Sequence, residues 1–242
     1  MAEAIDAPAV AASTVSASIP VRHTAIVRGT HWVTAISVVV LLASGVAILL
    51  AHPRLYWGET GARGGPSLID LPLPFVLGLP IRGPGRYLHF TFAWVLVLTG
   101  AMYIVYGLVS HHLRDHLVPE PRSLTWRSIA AHLRLRHPAD DSPDRYNVVQ
   151  RIAYLCVVFG LVPLLIWTGL GMSPTVTSVF PVLATAFGGQ QSARTIHFFA
   201  TLALVLFVCV HVVMVWRAGF AARTWSMIDG RTSTKEEPCD GN

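Results

Sequence analysis

The stretch Ile196–Trp216 reads IHFFATLALVLFVCVHVVMVW and contains no charged side chain. An uninterrupted apolar run of about 20 residues is the length of a helix that crosses a bilayer. Two histidines, His197 and His211, interrupt it 14 residues apart. At about 100° per residue that spacing falls only about 40° short of four full turns, so both imidazoles share one helix face. With a rise of about 1.5 Å per residue they lie roughly 21 Å apart along the axis, most of the roughly 30 Å hydrocarbon thickness. A single helix thus offers nitrogen ligands at two depths.

Working outward, the whole chain has the composition of a membrane protein. Of its 242 residues, 53% are hydrophobic and only 13% charged, against about 25% charged in soluble domains. The chain reads as an all-α, integral membrane four-helix bundle. Its spans are expected at about residues 31–51, 87–110, 148–170 and 194–216, each long enough to cross.

The net charge of +5 follows a membrane pattern and does not point to nucleic acid. Thirteen Lys and Arg residues fall before the first span, in the 111–147 loop and beginning of the third span, or after the fourth. Five, Arg54, Arg63, Arg82, Arg86 and Arg194, fall on the other side. That bias puts both termini in the cytoplasm of a bacterial inner membrane. Residues 1–21 contain Glu3 and Asp6 and lack a basic start, so they read as a disordered cytoplasmic tail and not a signal peptide. Residues 231–242 read as a second disordered tail. The domain between them covers 22–230.

The loops differ in character. The first is rich in Gly and Pro, and its Leu71–Leu79 segment is apolar enough to dip into the interface. The second is basic, and Leu124–Leu135 with Trp126 suits a short surface helix on an anionic leaflet. The third, about 171–193, carries no charge, as expected of a segment lying in the interface or against a partner.

Histidines inside membrane helices are costly and mark function. His31 begins the first span, His89 the second and His197 the fourth, with His211 near the fourth span's cytoplasmic end. Ordered by depth they make two pairs, His89 with His197 outside and His31 with His211 inside. Imidazole is a standard axial ligand, so two non-covalent, bis-histidine b-type haems fit this arrangement. The third span has no histidine and is left to packing and to lining a pocket. No Cys-x-x-Cys-His occurs, which excludes covalent c-type attachment, and no zinc pattern such as His-Glu-x-x-His occurs.

Two further patterns accompany the histidines. Arg28, Arg86 and Arg194 each stand three residues before one, on nearly the same face and one turn closer to the interface. That position suits charge-assisted contact with a haem propionate; anchoring of helix ends is the alternative. Gly45 lies fourteen residues after His31, and Gly100 and Gly107 lie eleven and eighteen after His89. These phases suit the close approach of a flat ring, with small-residue helix packing as the alternative.

With these residues in hand, the chain resembles the di-haem cytochrome b subunits of bacterial membrane oxidoreductases, in the cytochrome b561 superfamily. These include the formate dehydrogenase gamma, nickel–iron hydrogenase and thiosulfate reductase cytochrome b subunits. The stretches that carry the likeness are His52-Pro-Arg-Leu-Tyr-Trp-Gly-Glu59, Ile166-Trp-Thr-Gly169 and Ser192-Ala-Arg-Thr-Ile-His-Phe198. The resemblance implies the same ligand pairing and a quinone site near the inner haem. Asn147 and Gln150, at the cytoplasmic start of the third span, match the Asn and Gln of that site; as residues alone they also suit N-cap and N3 positions. It further implies electron transfer between the quinone pool and a periplasmic oxidoreductase subunit, most often a molybdopterin one, with no substrate chemistry beyond quinone redox. Two rivals predict other outcomes: a self-sufficient b561-like quinone oxidoreductase acting on superoxide, and a haem-free membrane anchor or transporter.

Overall fold

The computed structural model describes residues 24–59, 65–71, 84–110 and 148–230. Four helical segments in it are long and apolar enough to cross a membrane. The first two are α1 (Ala25–Ala51) and α2 (Pro84–Val109). The third runs through α3 (Val148–Cys156), a π-helical turn (Val157–Leu161) and α4 (Val162–Gly171). After two short helices, α5 (Pro174–Thr177) and α6 (Val182–Thr185), the fourth span is α7 (Gln190–Arg217). A last helix, α8 (Phe220–Asp229), follows a left-handed Gly219.

The first, second and fourth spanning helices begin earlier than hydropathy alone places them, whereas the third begins at Val148 as expected. Apolar windows drop their first turns, which in α1 and α2 carry Arg28 and Arg86. Those turns are helical nonetheless, since a spanning helix continues past the hydrocarbon into the interface. Pro84 opens α2, where its missing N–H costs nothing. In the third span Pro163 has no N–H to offer to the preceding turn, and the ladder widens into the π turn around Gly160 just before it.

Burial is inverted relative to a soluble bundle. The large apolar side chains Ile36, Val39, Trp94, Leu98, Leu206 and Val213 are exposed on the helix surfaces, as a lipid-facing exterior requires. The buried positions within the spans are small, Thr30, Ser37, Ser44, Thr99, Thr168, Thr195 and Ala200 among them, which lets backbones approach closely. The hydroxyls of Thr30, Ser37, Ser44 and Thr168 donate to the carbonyl four residues back, so they sit in an apolar medium without an unmet donor.

The helices associate as two antiparallel pairs, α1 with α2 and α4 with α7, and backbone contact between the pairs is sparse. At one end, hereafter the capped end, the chain after α1 folds back over the start of α7. Strands β1 (Arg54–Leu55) and β2 (Ile69–Asp70) form a small antiparallel hairpin, braced by an exposed Arg54–Asp70 ion pair of 3.1 Å. The hairpin was not legible in the sequence, where the segment reads only as a Gly- and Pro-rich loop. Leu55 of β1 is fully buried. The other end, the terminal end, holds the start of α1, the end of α2 and α8. There the Tyr106 hydroxyl donates to Thr24 Oγ1 at 3.1 Å, and the Trp32 indole N–H to the Met227 carbonyl at 3.1 Å.

The third loop is not extended: α5 and α6 fold it against α4. Its close fit depends on glycine. A Cβ on Gly171 would stand 2.8 Å from the Leu183 carbonyl oxygen. The expected surface helix Leu124–Leu135, both tails and nearly all of Leu71–Leu79 lie outside the described residues.

Candidate functional site

Four histidines from three helices meet in two pairs across the seam between the helix pairs. His89 of α2 faces His197 of α7, with ring centres 6.3 Å apart and planes at 62°. His31 of α1 faces His211 of α7, with ring centres 6.5 Å apart and planes at 53°. These are the two pairings expected from depth. Helix α7 is unbroken between His197 and His211, so the roughly 21 Å axial separation of the pairs stands.

The separations can be tested against a metal held between two rings. Two metal–nitrogen bonds of about 2.0 Å, each continued about 1.1 Å to a ring centre, span about 6.2 Å when in line. Both pairs match that span. They are pairs and not triads: among the described residues no group of three or more His, Cys, Asp or Glu gathers to hold a lone ion. Each pair therefore offers two facing nitrogens, a donor set that an iron held on both sides by imidazole fits.

Each imidazole at the capped end is held by a neighbouring helix. Ser44 Oγ of α1 lies 3.0 Å from His89 Nδ1. Thr168 Oγ1 of α4 lies 2.9 Å from His197 Nδ1. Glycines complete the fit: a Cβ on Gly45 would stand 3.5 Å from His89 Cε1, and one on Gly169 would stand 3.8 Å from His197 Cε1. Gly45 thus lies against the imidazole itself, whereas the space beside Gly100 is open.

Above this pair the chain after α1 is strapped to α7. The Ser192 hydroxyl accepts from Gly58 N–H at 2.8 Å, and Gln191 N–H donates to the Gly58 carbonyl at 3.0 Å. Thr195 Oγ1 donates to the Tyr56 carbonyl at 2.6 Å, and the Arg194 guanidinium donates to the His52 carbonyl. Gly189 makes the strap possible. Its φ is +122°, and a Cβ there would meet the Gly58 and Glu59 backbone at 2.6 Å.

At the terminal end the support differs. The Tyr154 hydroxyl and His211 Nδ1 share a hydrogen bond of 3.2 Å. Phe207, one turn before His211, stacks on its ring at 6.1 Å and 17°. His31 Nδ1 is buried and has no hydrogen-bond partner among the described residues. A shallow groove of about 500 Å³ lies at this end between α1 and α8, lined by Arg28, Gly29, Trp32, Met227 and Ile228 and not by His31 itself. Arg86 is exposed at the start of α2. Of the quinone candidates, Asn147 lies outside the described residues and Gln150 is in the first turn of α3.

Residues 22–230 match the family model described as prokaryotic cytochrome b561. The chain belongs to that family. It is accordingly a membrane cytochrome that binds b-type haem and transfers electrons. A protein of Azospira oryzae named as a protein-methionine-sulfoxide reductase subunit, YedZ1, is 34% identical over 80% of this chain and 89% of its own length. A protein of Azotobacter vinelandii named as a Ni/Fe-hydrogenase B-type cytochrome subunit is 29% identical over 80% of this chain and 78% of its own. One of Bradyrhizobium diazoefficiens with the same name is 25% identical over 87% and 84%. No solved structure matches the cytochrome.

Reading the sequence missed Ser44, Thr168 and Tyr154. The first two had a signal: each is a lone hydroxyl residue immediately before a glycine in an otherwise apolar run. Tyr154 had none, because a tyrosine near the polar end of a span usually marks the interface.

Proposed function

We propose that the cytochrome holds two b-type haems, one between His89 and His197 and one between His31 and His211. It conducts electrons across the bacterial inner membrane between quinone at the terminal, cytoplasmic end and an oxidoreductase subunit docked on the capped, periplasmic end. The observation that carries this reading is the pair of histidine couples at the two ends of one helix, each at the span of a metal held by two imidazoles.

When bound, haem supplies one-electron redox chemistry at a potential set by its ligands and burial. The chain does the rest. Its apolar helices exclude water, its four imidazoles fix position, and Arg28 and Arg86 at the helix starts suit anionic propionates. The contact of Arg194 with the His52 carbonyl gives that arginine a strap role beside any propionate contact. Quinone binding at the start of the third span is supported by Tyr154, whose hydroxyl reaches His211. Gln150 stands four residues earlier, on the same helix face and one turn nearer the membrane surface.

An oxidoreductase partner is supported by the names of the relatives, which are reductase and hydrogenase subunits. A molybdopterin cofactor in that partner rests on the family resemblance. Quinol added to the purified cytochrome should reduce the haem spectrum, and Gln150→Ala should slow that reduction about tenfold or more. Equal rates in both proteins would remove quinone from this end. Co-purification from native membranes should bring down a molybdopterin subunit, and a partner without molybdenum would overturn that assignment.

A further inference from the structure

The two imidazoles at the capped end are held by the same two-residue device, contributed by different helix pairs. In α1 it is Ser44-Gly45, set against His89; in α4 it is Thr168-Gly169, set against His197. In both, the hydroxyl meets Nδ1 and the following glycine lies beside Cε1.

The direction of the Nδ1 hydrogen bond follows from proton counting. A hydroxyl has one proton and two lone pairs. Ser44 Oγ donates to the Val40 carbonyl at 2.7 Å, and Thr168 Oγ1 to the Leu164 carbonyl at 2.7 Å. The carbonyl contacts are the shorter, which assigns each hydroxyl proton to the helix backbone and leaves Nδ1–H to donate across the 3.0 and 2.9 Å contacts. In a neutral imidazole, a proton on Nδ1 leaves the lone pair on Nε2.

We propose that Ser44 and Thr168 are positioning residues that fix His89 and His197 in the Nδ1–H tautomer and so present Nε2 to the haem iron at the capped end. This deepens the proposed function and rests on its ligand assignment. An acceptor on the far nitrogen raises the basicity of a ligating histidine and is one of the protein's means of setting a metal's potential. A hydroxyl that is itself donating is a polarised, stronger acceptor. The capped site therefore has its potential lowered from both sides. The terminal site lacks this device: His31 Nδ1 meets no partner among the described residues, and the group on His211 is a phenol.

The test is a redox titration with low-temperature EPR on purified Ser44→Ala and Thr168→Val, read beside haem content. Both variants should keep two haems. The capped-site haem alone should shift to higher potential, with its oxidised-to-reduced ratio at fixed potential changed about fivefold per hydroxyl, the equilibrium weight of one hydrogen bond. Its highest EPR g value should move, and Thr168→Ser should restore both readings. Ser37→Ala is the control: Ser37 is equally buried and donates to the Val33 carbonyl, and both potentials should stay. Loss of the capped-site haem in Thr168→Val with recovery in Thr168→Ser also supports the proposal. Two bound haems with wild-type potentials and g values in both variants would overturn it and leave the ligand assignment intact. Unchanged spectra in His89→Ala and His197→Ala would instead overturn the ligand assignment.

Discussion

The two ends of this cytochrome carry like pairs of histidines in different housings. At the capped end, hydroxyls of two helices hold both imidazoles and a strap of chain closes over them. At the terminal end one imidazole nitrogen has no partner among the described residues, the other meets a phenol, and a shallow groove runs between α1 and α8. The difference shows how one helix with two histidines can serve two unlike tasks. In the proposed function the closed site is the one beneath the docked subunit. In the proposed function the less enclosed one is the site that meets quinone.

The strongest way to break this comparison is to delete ligands one end at a time. His197→Ala should abolish the capped-site haem and His211→Ala the terminal one, each leaving a single species in a redox titration with its original potential. Removal of both haems by either substitution would mean that the ends are not independent.

Next in size is the strap. Gly189→Ala should destabilise the capped end by about 3 kcal/mol or more, because φ is left-handed and the new Cβ meets backbone. Heating while following both haem signals should show the capped one lost first. Loss of both together would mean that the strap serves the whole bundle.

Smaller effects are expected at the terminal end. Trp32→Phe removes the bond to the Met227 carbonyl, worth about 1 kcal/mol, and should raise amide exchange in α8 without moving the capped haem. Least of all is Asp70→Asn. The Arg54–Asp70 pair is exposed and should contribute less than about 1 kcal/mol, seen as an almost unchanged melting temperature.

Much of the fold was legible because the bilayer imposes few and strong rules. Span length, exclusion of charge and the phase of His197 and His211 are each set by one dimension of the membrane. The pairing of His89 with His197 and of His31 with His211 followed from depth alone, and these side chains are the ones that meet. What escaped the sequence depends on contacts between segments distant in the chain. The strap needs Gly58 beside Gly189, and nothing local at either position names its partner. The hydroxyls of Ser44 and Thr168 look like ordinary small residues in a packed helix until the neighbouring imidazole is placed. Helix α8 has no long apolar run to announce it, and its place depends on Trp32, some 195 residues away.

The central claim is two bis-histidine haems on one chain. Pyridine haemochrome assay of the purified cytochrome, with iron measured against protein, tests it directly. The account predicts two b-type haems and two irons per chain. One haem or none per chain would contradict it.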